Sequence, residues 1–374
     1  MKILKKGIVY RVTGNPFQYQ AWPSVCSDET GRLYAVCSGH RLGHVCPFGK
    51  DLMFISDDGG ESWSSPTIVN DTWLDDRDAG ITYLGDGKMI LSYFCHPTEA
   101  YMTPWRDWVM HDAHEFGPVA EGMLECYEKF GADKNMAGTF IKRSLDYGKS
   151  WGEAIRTPVS APHGPVKTLS GRLLYVGREF PGYPNRYMKM DYPEDKVAPD
   201  DKDRIFLCES FDDGESWEVL SKLPVKEGFP ANVLCEPHLV EMPDGEIIVA
   251  IRAHDDPAYD KFTIYFTSSK DGGKSWSELW GLGHIGSPPH LCLLKDGSVV
   301  VTYGRRSAPF GIRAVVSKDA CRTFSEEFEL WSAPNGDLGY PATVQLDDGS
   351  LVTVHYQPYG DDTRTSIVYT KWSL

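Results

Sequence analysis

Apolar residues in this chain come in short runs broken by polar turns. The clearest unit is an apolar run, an Asp-Gly turn and a β-branched run: LGDGKMILSYF from Leu84, MPDGEIIVAIR from Met242, LKDGSVVVTYG from Leu294 and LDDGSLVTVHY from Leu346. SDETGRLYAV from Ser27 and TLSGRLLYVG from Thr168 are looser copies. Each copy predicts a β-hairpin, because a turn that favours positive φ separates two strand-forming runs. Six such hairpins in one chain predict a repeat architecture.

A second pattern follows the first. SDDGGESW from Ser56, SLDYGKSW from Ser144, SFDDGESW from Ser210 and SKDGGKSW from Ser269 share S-x-D-x-G-x-S-W, and SKDACRTF from Ser317 is a worn fifth copy. This too is turn chemistry. The carboxylates of Asp58, Asp146, Asp212 and Asp271 are placed to accept backbone N–H groups, the Gly supplies positive φ, and the Trp packs back over the hairpin. The pattern therefore predicts a structural role. Five of the six inner hairpins are followed by an outer hairpin carrying such a box. The sixth is completed by TSIVYTKWSL, which is expected to pair with KKGIVYR near Lys5 and close a ring without free edges. The expectation is one all-β domain over 1–374, a six-bladed propeller of four-stranded blades.

Composition agrees and limits the partners. The chain has 374 residues, 12% aromatic, with 36 Gly and 25 Pro, a mix suited to short strands and tight turns. A formal net charge of -15 excludes nucleic acid and anionic membranes as expected partners, while a small anionic ligand remains open if arginines converge. No apolar stretch is long enough to span a bilayer and MKILKKGIVYR has no leader-like apolar core. With nine scattered cysteines and no C-x-x-C pair, this leads us to expect free thiols and a cytoplasmic location. No cofactor and no metal are expected, since metal-ligand spacing is absent.

Strand alternation then points to a site. In a blade, the residues before the first strand and after the second share one face near the axis, opposite the Asp-Gly turns. Nine residues before each turn glycine stand Trp22, Asp78, Pro162 beside His163, Glu236, Pro288 and Tyr340. The second strands end at Arg41, His96, Arg178 with Glu179, Arg252, Arg305 with Arg306, and Tyr356, and His238 and His290 follow two residues after the start positions. A rim of Arg, His, carboxylate and Tyr is the expected functional face. The boxes fall on the other face. Insertions at about 97–137 and 180–203 are expected to wall the same mouth, the first including a helical VAEGMLECYEKFG.

With boxes and rim in place, the chain resembles the sialidase superfamily of Asp-box propellers over nearly its whole length. The resemblance is most specific at EPHLVEMPDGEIIVAIR, which carries Glu236 and Arg252, and at GYPATVQLDDGS, which carries Tyr340. It implies Tyr340 as nucleophile, Glu236 as its supporting carboxylate, and Arg252 as one arm of a grip on a substrate carboxylate. A second arm is implied among Arg305, Arg306 and Arg313 of YGRRSAPFGIR, without a choice between them. Arginine suits this task because its planar fork binds a carboxylate through two hydrogen bonds.

Two departures stand out. Where the family's first triad arginine sits, this chain reads QAWPSV, with Ala21 and Trp22, and Arg41 in SGHRLGH is the candidate substitute. The family's acid/base Asp is missing from GHRLGHVCPFGKD, which offers His44 and Cys46 and no Asp before Asp51. DDRDAG supplies Asp76 or Asp78 as replacement acid, with Arg77 between them. His163, His238 and His290 are expected near the axis as sugar contacts, with metal binding or base catalysis as alternatives. The expected function is an exo-acting glycoside hydrolase releasing a terminal acidic sugar. The alternatives are a hydrolase or lyase for a neutral or uronic sugar using the histidines, and a non-catalytic glycan-binding propeller.

Overall fold

The computed structural model describes residues 1–130, 136–178, 204–229 and 231–374. Six four-stranded antiparallel sheets form the blades of a propeller. Blade I comprises Tyr19–Ser27, Leu33–Arg41, Lys50–Ser56 and Thr67–Asn70. The inner two strands of blades II to VI are Asp76–Gly85 with Lys88–Cys95, Val166–Lys167 with Leu173–Arg178, Leu234–Glu241 with Ile247–Asp256, Pro289–Leu293 with Val299–Arg305, and Gly339–Gln345 with Leu351–Pro358. All six hairpins expected from the Asp-Gly or Gly turns are present.

Blade VI closes the ring. Its third strand, Thr365–Ser373, pairs antiparallel with Lys2–Tyr10, from Lys2 opposite Ser373 to Tyr10 opposite Ile367, with register shifts between Ile3 and Lys5 and between Ile8 and Tyr10. Each blade is covered on both faces by its neighbours, which is why middle strands read as unbroken apolar runs. Ile247 to Ile251 are all fully buried. Between blades IV and V, Ile248, Ala250 and Phe266 meet Leu291, Val299 and Val301.

The five boxes are built alike. In the first, Ser56 Oγ donates to Asp58 Oδ1 (2.8 Å), the Gly60 N–H donates to Ser56 Oγ (2.9 Å), and Ser62 gives its N–H to Asp58 Oδ1 (2.9 Å) and its hydroxyl to Oδ2 (2.5 Å). These donors hold the Asp58 carboxyl at about 2. The worn copy makes the same bonds through Ser317, Asp319 and Thr323, with Cys321 at φ 60° in the glycine's place.

The first insertion is helical: α1 (Thr98–Met102), α2 (Arg106–Ala113) and α3 (Gly117–Phe130). Tyr101, Val109, Ala120 and Leu124 pack with Leu42, Leu74 and Tyr93 into one buried cluster, so the helices are fixed to blades I and II. The second insertion, 180–203, and Glu179 lie outside the described residues. No two of the nine cysteines are bonded to each other. Among the described residues, no helix is long and apolar enough to cross a membrane.

Candidate active site

Four side chains reach the axial rim by the same device. Trp22, Asp78, Glu236 and Tyr340, at equivalent places in blades I, II, IV and VI, have positive φ of 51°, 53°, 45° and 49°. At each, the pairing of the first two strands slips: between Ala21 and Ser24, Arg77 and Gly80, Cys235 and His238, and Gly339 and Ala342. The backbone bulges there and re-aims one side chain. Left-handed backbone costs about 1–3 kcal/mol at a non-glycine residue and persists where surrounding structure imposes it. Pro162 and Pro288 hold the equivalent places in blades III and V, where the proline ring fixes a negative φ.

The bulges of blades IV and VI bring Glu236 and Tyr340 together. Tyr340 Oη donates to Glu236 Oε1 at 2.7 Å, and Arg252 Nη1 donates to Glu236 Oε2 at 2.5 Å and to Tyr340 Oη at 3.3 Å. Burial alone would raise the Glu236 carboxyl, but the charge and hydrogen bond of Arg252 outweigh it and hold the group below its ordinary value. Burial and the adjacent Glu236 push the Tyr340 phenol well up, opposed by Arg252 and Arg306. Arg306 lies within electrostatic reach of Arg252, Tyr340 and Glu236, with its Nε donating to the Gly336 carbonyl (3.2 Å).

Asp78 shares a cavity of about 310 Å³ with Glu236, whose wall includes Phe94, His96, Trp105 and Arg178. Burial, opposed by Arg77 and helped by Glu236, raises its carboxyl to about 7. Asp78 Oδ1 is buried and has no hydrogen-bond partner among the described residues. The site therefore holds one carboxyl kept ionised and one kept protonated near neutrality, an arrangement that separates base and acid roles. Trp105, from the loop between α1 and α2, stands edge-on to His96 with ring centres 4.4 Å apart.

The structure distributes the other expected site residues differently. Asp76 turns away from the rim: its carboxylate accepts the Thr72 N–H (2.8 Å) and hydroxyl (2.7 Å) and faces Cys95 Sγ (3.2 Å). The bulge between Arg77 and Gly80, which re-aims Asp78, separates the two carboxylates. Arg41 is not free to grip a substrate. It is fully buried, and both its Nη groups donate to Asp75. Arg77 also donates to Asp75 (3.3 Å), Tyr101 Oη adds 2.8 Å, and the Gly49 N–H adds 3.0 Å. A Cβ on Gly49 would lie 2.0 Å from Arg41 Nη1, so glycine makes room for this pair. The Arg41 and Arg77 guanidinium groups rest on the Trp22 ring at 4.8 and 4.2 Å. Trp22 thus occupies the rim with two anchored cations packed against its ring.

Arg305 and Arg313 face Glu327, at 3.8 and 3.2 Å, and Arg313 also meets Glu329 at 2.8 Å. Of the three arginines in that segment, Arg306 is the one beside Tyr340. His44 accepts or donates at Nδ1 with Tyr19 Oη (3.1 Å) and is edge-on to Trp22. Burial and the surrounding Arg77, Arg306 and Arg41 keep it neutral. The three axial histidines meet one another in a second cavity, beyond the Tyr340–Glu236 pair along the inner strands. Asp75, which anchors Arg41 and Arg77, and Trp105 were not singled out by the sequence pattern. Asp75 adjoins Asp76 in the same acidic run, the one signal available.

The family model of the BNR repeat-like domain matches residues 126–355, and that of the BNR/Asp-box repeat matches residues 54–65. Among solved structures, a protein of unknown function from Dyadobacter fermentans superposes with a TM-score of 0.74 at 21% identity, covering 100% of this chain and 98% of that one. The NanB sialidase from Streptococcus pneumoniae gives a TM-score of 0.66 at 12% identity, covering 98% and 70%. The intramolecular trans-sialidase from Ruminococcus gnavus gives 0.62 at 14%, covering 98% and 97%. At these identities the likeness shows the fold. No curated protein sequence matches significantly.

Proposed function

The chain belongs to the BNR repeat-like domain family, as a divergent sialidase-type propeller, and from that premise we propose that it is an exo-acting glycoside hydrolase releasing a terminal acidic sugar. The observation that carries this reading is the 2.7 Å hydrogen bond from Tyr340 Oη to Glu236, with Arg252 on both groups. As Tyr340 Oη attacks the anomeric carbon, its proton passes to Glu236 Oε1 and the glycosidic C–O bond breaks. The leaving oxygen takes the proton of Asp78. Water then attacks the tyrosyl-linked sugar, giving a proton back to Asp78, and the departing phenolate recovers its proton from Glu236. Arg252 and Arg306 supply positive charge for a substrate carboxylate and for the oxygen charge that develops on Tyr340.

A neutral phenol is a weak nucleophile, and burial raises its proton affinity further. Direct transfer to an ionised carboxylate makes the attack feasible without a free phenolate. The test is turnover of aryl glycosides of several acidic sugars by the native chain and by Tyr340→Phe. Loss of turnover in the variant with substrate binding retained is expected, and full turnover by the variant refutes the nucleophile assignment.

One observation favours a second substrate class. Trp22 fills the rim in blade I and Asp75 engages both Arg41 and Arg77, leaving Arg252 and Arg306 as the cations beside Tyr340 among the described residues. Such a grip is narrower than three convergent arginines and suits a uronic or neutral sugar as well. Comparing kcat/KM for a sialoside, a uronide and a neutral glycoside separates the two readings. Saturable binding of a glycan with no product on prolonged incubation would replace both with a non-catalytic one.

A further inference from the structure

The axial histidines stand in a cavity of about 260 Å³ that shares its lining with Ser24, Thr82 and Lys167. Its residues follow the rim positions along the inner strands: His238 comes two after Glu236, and Ser24 two after Trp22. At about 3.3 Å per strand residue, this is a layer beneath the catalytic groups. His238 and His290 stack with centroids 4.3 Å apart and planes 19° from parallel, and His163 stands edge-on to both at 5.4 and 4.9 Å.

Backbone donors fix the protonation pattern. The Leu291 N–H donates to His238 Nδ1 at 3.0 Å, and the Thr343 N–H donates to His290 Nδ1 at 3.4 Å. Each ring thus reaches to the inner strand of the next blade, in the same rotational sense. A neutral imidazole that accepts at Nδ1 carries its proton on Nε2. Burial keeps all three rings neutral, holding His163 at about 3. His238 and His290, stacked in the lining of the cavity, then each carry an Nε2–H donor. The occupant complementary to such donors is an electron-rich atom. A metal cation is the wrong occupant, because it would meet the N–H protons rather than lone pairs.

Two further observations give the sign of the ligand. Both ring nitrogens of His163 are buried with no partner among the described residues, so this ring is free to turn an N–H toward the same point. In a chain of net charge -15, the described lining of this cavity contains no carboxylate, and its one charged side chain, Lys167, is a cation whose ammonium donates to the Leu84 carbonyl. We propose that the axial cavity binds a small monovalent anion of halide size, held by the Nε2–H groups of His238 and His290 and by His163. The anion ties the inner strands of blades III, IV and V together and does not take part in turnover.

Bromide is the probe. Crystals of the full chain in sodium bromide should show an anomalous peak among the three rings, within hydrogen-bond reach of the Nε2 atoms. The melting temperature should rise by roughly 1–3 °C in sodium bromide over sodium gluconate of equal ionic strength, as expected for a ligand that binds only the folded state. His163→Asn should abolish that difference. Bromide peaks on the surface alone, or ordered water in the cavity at saturating bromide, overturn the proposal whatever the melting shows. An equal halide effect in His163→Asn overturns the assignment of His163. The native-chain measurements decide the question even if the variant fails to fold.

Discussion

Asp78→Asn tests the protonated carboxyl without any knowledge of the substrate. Burial raises the Asp78 carboxyl from an ordinary 3.8 to about 7. A shift of about 3 units, at 1.36 kcal/mol each, corresponds to about 4 kcal/mol by which the fold disfavours the ionised form. The folded state holds this proton where the unfolded chain has lost it, so between those two values it binds more protons. Stability from this group therefore falls as pH rises through the window and levels off above about pH 7. Asparagine cannot ionise and does not follow this fall. Urea unfolding of both proteins should show the stability of Asp78→Asn minus that of the native chain rising by up to about 4 kcal/mol from about pH 4 to pH 8. Taking the difference cancels every titration the two proteins share. A difference flat to within about 1 kcal/mol would refute the claim that Asp78 carries a proton near neutrality. The same variant should lose turnover of substrates with poor leaving groups and retain it for those with good ones, because only the former need an acid.

Four further outcomes are expected. For the native chain, kcat/KM should fall above about pH 7 as Asp78 ionises, and on the acid side only below the ordinary Glu236 value of 4.5, giving a bell that pH-rate measurements can locate. Glu236→Gln should lower kcat by about 10²–10⁴-fold and remove the acid limb, with substrate binding followed by calorimetry. Asp75→Asn should destabilise the fold by about 3–5 kcal/mol in urea unfolding, because it strips the partner from buried Arg41 and weakens the hold on Arg77. By contrast, Asp271→Ala should cost about 1–3 kcal/mol of stability and leave turnover per folded molecule unchanged, since its bonds to Ser269 and Ser275 serve only the turn.

The hairpins and boxes were legible because their chemistry is local: an Asp, a Gly and a Ser within eight residues make the whole turn. The worn box was legible for the same reason, although Cys321 takes the left-handed place of glycine there. The rim could be counted from the turn glycines because turn and bulge keep a constant separation from blade to blade. The bulges themselves leave no local mark, and they decide which neighbour faces the axis. Asp76 and Asp78 are two residues apart and an ideal strand would put them on one face, yet Thr72 holds the first and the cavity receives the second. The fates of Arg41, Arg305 and Arg313 depend on carboxylates far along the chain, Asp75 and Glu327 among them, and no spacing rule reaches that far. The helices of the first insertion were partly legible, but the placing of Trp105 against His96 comes from packing onto blades I and II.

The clasp between Lys2–Tyr10 and Thr365–Ser373 has a mechanical consequence. Lys2 lies opposite Ser373, so a force applied across those two residues loads the ladder at one end. The hydrogen bonds then break in succession, as in a zipper, rather than all at once in shear. The other blades are hairpin-linked within themselves and offer no such starting point. Opening the ring in a single-molecule pulling experiment should therefore begin at this pair and at low force, and a cysteine pair bonded across Lys2 and Ser373 should move the first rupture elsewhere.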